Sequence, residues 1–222
     1  MVDLLPTDEQ DEIVRSVQSL LAAKWPVDRL SEFDGRSDVV DPDAWQACAA
    51  LGWFGLGLAE ACRGVGYTAI EESLLCCEIG ASLAPGPWVA QLVATHASAS
   101  LGDSDLTASL LDGSSRAAWA IVGEPAIVQH PDGADVVVAV VGDDVLLWRH
   151  SPEATPFSSV DVLIPSGRAT LSTDDAERVG GDLALRATLL VAAMAAGMAR
   201  ATAEQSVQYG LDREQFGQAV GG

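Results

Sequence analysis

Residues 182–212 constrain this fold more than any other stretch of the chain. Leu185, Leu189, Val191, Ala192, Ala195, Ala199 and Ala203 keep small or apolar side chains on much of one helical surface. A helix that is apolar most of the way round must lie against other helices, and its alanines and Gly197 let a neighbour come close. Its uncharged run, Ala187 to Ala199, is thirteen residues bounded by Arg186 and Arg200. That is short of the ~18 residues that cross a bilayer. The stretch reads as a buried core helix with no membrane span. Its excess of apolar surface predicts an oligomer, homo- or hetero-, formed through these C-terminal helices.

Charge is concentrated elsewhere. The 12 basic and 32 acidic residues sum to −20, and residues 182–222, with three arginines against four acids, contribute only −1 of it. The upstream part, at −19, repels phosphate. That excludes an electrostatic nucleic-acid patch and disfavours an anionic membrane surface. A 49% hydrophobic content excludes global disorder. Cys48, Cys62, Cys76 and Cys77 match no zinc spacing, and His96, His130 and His150 are scattered. With no basic segment after Met1, inert thiols in a cytoplasmic protein are the expectation.

The helices ahead of the long one announce themselves by their caps. Thr7-Asp8-Glu9-Gln10 is a capping box leading into the stripe Ile13, Val14, Val17, Leu20, Leu21, which Pro26 stops. Ser31 to Val40 is a polar loop. Asp41 and Pro42 then supply an N-cap and an N1 proline for a helix carrying Trp45, Cys48, Ala49 and Leu51 that Gly52 ends. Gly64-Val65-Gly66 lacks a preceding strand and a following Gly-Lys-Ser, so it is a connection and not a phosphate loop. Thr68 and Glu71 form a second capping box for a helix through Leu83, which Ala84-Pro85-Gly86-Pro87 breaks; Trp88–Leu101 and Leu106–Leu111 are helices. Strand character follows at Ala117–Val122, in a hairpin of Ala134–Val141 with Val145–Trp148, and at Val160–Ile164 and Ala169–Leu171. Asp143-Asp144 and Asp174-Asp175 are turn acids, and Trp119 and Trp148 are core of this part, with stacking on a bound aromatic ring the lesser alternative. The fold class is α+β, mostly α. It comprises an N-terminal helical bundle (1–113), a small antiparallel β-domain (114–180) and, in 181–222, the first long helix of an incomplete C-terminal helical domain.

Leu51-Gly52-Trp53-Phe54-Gly55-Leu56-Gly57-Leu58, Glu60, Gly64-Val65-Gly66, Glu78-Ile79-Gly80, Leu83-Ala84-Pro85-Gly86-Pro87 and Arg213-Glu214-Gln215-Phe216-Gly217 occur in that order. In this order they resemble the acyl-CoA dehydrogenase family, the last through its Arg-x-x-Phe-Gly element. The resemblance implies a flavoprotein that oxidises an acyl-CoA thioester between its α and β carbons. A glutamate takes the α-proton, FAD accepts hydride, and an electron-transferring flavoprotein is the partner. By the same resemblance Arg213 reaches FAD phosphates, usually of a neighbouring subunit. Phe216 and Gln215 lie beside the cofactor, and Glu124 is left from a Thr-Glu-Pro-like flavin strand.

Four departures qualify that expectation. No Gly-Ser-Asp follows Glu124-Pro125; His130-Pro131-Asp132-Gly133-Ala134-Asp135 stands in its place. Ala187 occupies the position where one branch of the family carries its glutamate, and the other branch holds it beyond residue 222. Arg186, out of register with the family's CoA-contacting arginine, reads as a helix-terminus surface residue. The family's later helices and glycine-rich flavin motif do not follow, so a truncated chain is expected. The chain therefore reads as an acyl-CoA dehydrogenase-like flavoprotein subunit of lipid or steroid side-chain catabolism. The alternatives are a non-catalytic partner in a mixed assembly of the kind found in steroid-degrading actinobacteria, and an inactive fragment.

Overall fold

The computed structural model describes residues 5–215 and 218–219. Five helices precede the sheet: α1 (Asp8–Lys24), α2 (Pro42–Ala50), α3 (Ala69–Ser82), α4 (Trp88–Ser100) and α5 (Ser104–Leu111). Both capping boxes form. The Gln10 amide donates to the Thr7 hydroxyl at 3.2 Å while the Gln10 side chain accepts from Thr7 N at 3.0 Å, and Thr68 and Glu71 repeat the arrangement at α3. Asp41 caps α2 by accepting from Ala44 N at 2.8 Å. Between α1 and α2 the chain makes a 3-10 turn at Val27–Phe33, where a polar loop was expected to begin. α1, α2 and the start of α4 enclose an aromatic core of Trp25, Trp45, Trp53, Phe54 and Trp88, all buried.

The sheet is mixed, a correction to the antiparallel expectation. Its order is β5-β6-β2-β1-β3-β4-β7, from β1 (Ala117–Ile121), β2 (Ala126–Gln129), β3 (Val136–Val141), β4 (Asp144–Trp148), β5 (Thr155–Phe157), β6 (Ser166–Ala169) and β7 (Glu177–Val179). β1 and β2 form a hairpin. The chain then turns at Pro131–Gly133 and lays β3 on the other side of β1, in parallel register Ala117↔Val136. The predicted β3–β4 hairpin is present. The predicted strand at Val160–Ile164 is not: the Asp161 carboxylate accepts from Leu163 N at 2.9 Å and its carbonyl from Ile164 N. This local turn takes the backbone groups a strand would need. The strand expected at Ala169–Leu171 lies earlier, at Ser166–Ala169.

The long helix α6 spans Leu183–Asp212 and is followed by the short pair β8 (Glu214–Gln215) and β9 (Gln218–Ala219). It is not buried throughout, as the sequence suggested. Leu183, Ala184, Ala187, Leu190 and Gly197 are buried, whereas Leu185, Leu189, Val191 and Met198 are exposed to varying degrees. By length and composition alone it could cross a bilayer; here one face of it packs along α3 and α4. Gly80 of α3 and Gly197 of α6 make that packing possible. A Cβ on Gly197 would fall 2.7 Å from the Cys77 carbonyl carbon, and one on Gly80 would fall 2.8 Å from that of Met194.

Candidate functional site

α3 holds its neighbours through acids. Glu72 is fully buried, and its carboxylate meets His96 Nε2 of α4 at 2.7 Å, accepts from Gly57 N at 3.2 Å and pairs with Arg186 of α6. Burial alone would raise its pKa; the bond and charge of His96, then Arg186, outweigh that and hold it below the ordinary carboxylate value. Arg186 is thus a buried-pair partner rather than the surface residue expected. Glu78 pairs with Arg200 at 2.8 Å and accepts from Gln18. Burial opposes the Glu71 carboxylate as well, but bonds from Gln10 and Thr68 bring it down to about 2. Gln91 of α4, also fully buried, spans to the sheet. Its amide donates to the carbonyls of Leu110 (2.8 Å) and Ser115 (2.9 Å), and its oxygen accepts from Ala117 N at 3.0 Å.

These clamps position a cavity of about 420 Å³ between α3, α4, α6 and the sheet. One wall is apolar, with Ile79, Val89, Val191, Met194 and Met198. The other carries Trp119, Gln129 and His130, with Asp161 and Leu163 at its edge. Trp119 was expected as core; it is only part-buried and faces the cavity. Trp148, also expected as core, is buried and donates to the Ser172 carbonyl at 2.8 Å.

Ala187 is buried and lies on the α6 stripe that continues through Val191, Met194 and Met198, at i, i+4, i+7 and i+11. Ala187 does not itself line the cavity but packs in the core one turn before Val191, which does, and an alanine cannot accept a proton. Of the expected cofactor residues, Glu124 and Arg213 lie apart from the cavity. Glu124 is exposed at the Glu124–Pro125 bend. Arg213 is exposed at the end of α6, over the Tyr209 ring at 5.4 Å and bonded to its hydroxyl. Gln215 is in β8, and Phe216 lies outside the described residues. Among the described residues no group of His, Cys, Asp and Glu side chains could hold a metal ion. Cys48 and Cys76 are buried free thiols; burial pushes Cys48 up to about 12 and Cys76 up as well, which makes both poor nucleophiles.

The residues do not fit a whole flavin dinucleotide within this one cavity. A diphosphate needs cations, and no Lys or Arg lines it. Arg213 is fifteen residues beyond Met198, or about 22 Å along the helix. What the walls fit is a largely apolar group, with Trp119, Gln129 and His130 as polar side chains on one side.

Comparison with known proteins agrees with this architecture. Residues 7–115 match the family model for the acyl-CoA dehydrogenase N-terminal domain. The chain carries the N-terminal domain of the acyl-CoA dehydrogenase family. Acyl-CoA dehydrogenase IpdE2 of Mycolicibacterium smegmatis is 27% identical over 221 residues, covering 96% of this chain and 68% of the relative. Acyl-CoA dehydrogenase FadE34 of Mycobacterium tuberculosis is 32% identical over 203 residues, 81% of this chain and 28% of the relative. Among solved structures, the Tcur3481-Tcur3483 steroid ACAD superposes with a TM-score of 0.81 at 22% identity, over 96% of this chain and 70% of that one. The ChsE4-ChsE5 complex from Mycobacterium tuberculosis superposes with 0.76 at 17%, over 99% and 71%.

Proposed function

We propose that this chain is a subunit of a mixed acyl-CoA dehydrogenase assembly: it holds the acyl part of an acyl-CoA thioester and leaves proton abstraction to another chain. The observation that carries this reading is Ala187, a buried alanine of α6 one turn before the cavity-lining Val191. Two superposable structures, by their titles, pair two different chains. The assembly's reaction is α,β-oxidation of a lipid or steroid-derived acyl-CoA. FAD supplies hydride acceptance when bound, and an electron-transferring flavoprotein is the electron acceptor. This chain's residues contribute an apolar wall, Val191, Met194 and Met198, against which the acyl chain is held. Arg213, exposed at the end of α6 against Tyr209, reaches the phosphates of a flavin shared with a neighbouring subunit.

The test is to titrate the purified chain with acyl-CoAs, following quenching of Trp88 and Trp119 emission at the cavity wall, and to assay dye-linked dehydrogenation with excess FAD. The expected result is saturable binding without turnover by the chain alone, and turnover on adding a partner chain that carries the glutamate. Turnover by this chain alone would overturn the reading.

A further inference from the structure

The wall of the cavity formed by the sheet is built for hydrogen bonding, yet its bonds are unmade. Trp119 and Gln129 are directly opposite each other in the β1–β2 register, so their side chains emerge on the same face. His130 follows at the end of β2 with φ +54, in the left-handed region, where the Pro131–Gly133 turn begins. That twist breaks strand alternation, and it lets His130 line the same cavity as its neighbour Gln129. Gln129 and His130 are half-buried. Among the described residues, neither the indole N–H of Trp119, the amide of Gln129 nor the imidazole of His130 has a hydrogen-bond partner. Burial pushes the His130 imidazole down to about 4, with Asp38 opposing and Arg116 assisting. The ring is therefore neutral near pH 7 and offers one donor and one acceptor. Opposite stand Val191 and Met194, which offer contact and no polarity.

A site lined by open donors and acceptors favours a ligand that completes them and rejects the analogue that leaves them unpaired. We infer that the polar wall formed by Trp119, Gln129 and His130 selects acyl groups that carry a hydroxyl or ketone oxygen on an otherwise hydrocarbon body. This rests on the acyl-holding role proposed above and adds the chemistry of the group held. A plain hydrocarbon acyl chain would desolvate three polar side chains and satisfy none of them.

The experiment uses the full chain and two probes, cyclohexanecarboxyl-CoA and 4-hydroxycyclohexanecarboxyl-CoA, with FAD alone as a third arm. Affinity is read by calorimetry and by tryptophan quenching. The wild-type chain should bind the hydroxylated thioester about tenfold more tightly, the worth of one good hydrogen bond. Gln129→Leu should reduce that preference to within about twofold, in part by strengthening the plain thioester, which no longer desolvates an unpaired amide. His130→Asn, which tolerates the left-handed backbone, gives a second variant should Gln129→Leu fail to fold, and should reduce the preference too. Equal binding of both thioesters by the wild type, or a preference that survives in both variants, overturns the inference and leaves the acyl-holding role standing. Binding of neither thioester overturns both. FAD bound by the wild type and lost in Gln129→Leu would assign the wall to the flavin and overturn the inference as well.

Discussion

Gly197→Ala sets two effects of opposite sign against each other. In an exposed helix interior the substitution stabilises by about 1 kcal/mol, because glycine loses more backbone entropy than alanine. Here the added methyl would sit 2.7 Å from the Cys77 carbonyl carbon and 3.0 Å from the Ala81 amide nitrogen. Both are backbone atoms of α3 and cannot rotate away. Overpacking of this kind costs about 1–3 kcal/mol, and two rigid neighbours put it at the upper end. The net expectation is a loss of about 2 kcal/mol. For a domain of this size that lowers the thermal midpoint by roughly 4–8 °C. Ala195→Gly, on the exposed side of the same helix, calibrates the propensity effect alone and should cost about 1 kcal/mol. Differential scanning calorimetry measures all three proteins. A midpoint for Gly197→Ala above the wild type's would refute the close α3–α6 approach. The same displacement moves Met194 and Met198, so acyl-CoA affinity should fall along with stability.

Three further outcomes follow from the clamps. Glu72→Leu strands Arg186 and His96 beside a buried hydrocarbon and should cost about 3–5 kcal/mol, read by urea denaturation, whereas Glu72→Gln keeps hydrogen-bonding capacity and should cost less. Gln91→Leu leaves the Leu110 and Ser115 carbonyls and the Ala117 amide without their partner, and should cost about 3 kcal/mol or more by the same assay. Stability should also fall in acid in two separable steps. The unfolded chain takes up a proton at His130 below about 6.5 that the native ring refuses until about 4, so stability is lost as pH falls through that window, by about 3 kcal/mol at 1.36 kcal/mol per unit. Glu71, depressed to about 2, withdraws its contribution between about 4.5 and 2. His130→Asn should abolish the first step in thermal midpoints measured across pH and leave the second.

What the sequence made legible was local. Both capping boxes, the Asp41 cap and the glycine stop at Gly52 involve residues within a few positions of each other, and each formed as their spacing implied. The sheet failed where pairing was distant. β1 lies against β3 only because a turn at Pro131–Gly133 returns the chain to its far side, and no periodicity within β1 encodes that. Val160–Ile164 misled because β-branched content outweighed one turn-forming aspartate. The Glu72 clamp left a readable signal that went unused: Glu72, Leu75 and Ile79 fall at i, i+3 and i+7, which places a carboxylate on the inward face of α3. An inward acid implies a buried cation, and Arg186 bounding the apolar run of α6 was the available one. Gln91, on the inner side of a helix buried nearly all round, left a weaker signal of the same kind.

The buried acids also bear on where chemistry can occur in this chain. A general base works best with a pKa near the operating pH, which for a carboxylate means raised by burial among neutral groups. Glu71 and Glu72 of α3 are arranged the other way, and Glu78 is committed to an ion pair. Glu72 is held down by His96 and Arg186, Glu71 by Gln10 and Thr68, and Glu78 is paired with Arg200 and Gln18. Each has its lone pairs committed to a neighbouring helix, so releasing one to take a substrate proton would loosen the contacts that hold α1, α4 or α6 in place. The half-buried His130 has open nitrogens, but an imidazole pushed down to about 4 holds an abstracted proton poorly at neutral pH. The helices therefore invest their acids in holding the cavity's shape, and the sheet wall invests its polar groups in neutral hydrogen bonding. That division of labour suits the acyl-positioning role proposed above: neither Ala187 nor the buried glutamates of α3 offer a proton acceptor at this cavity.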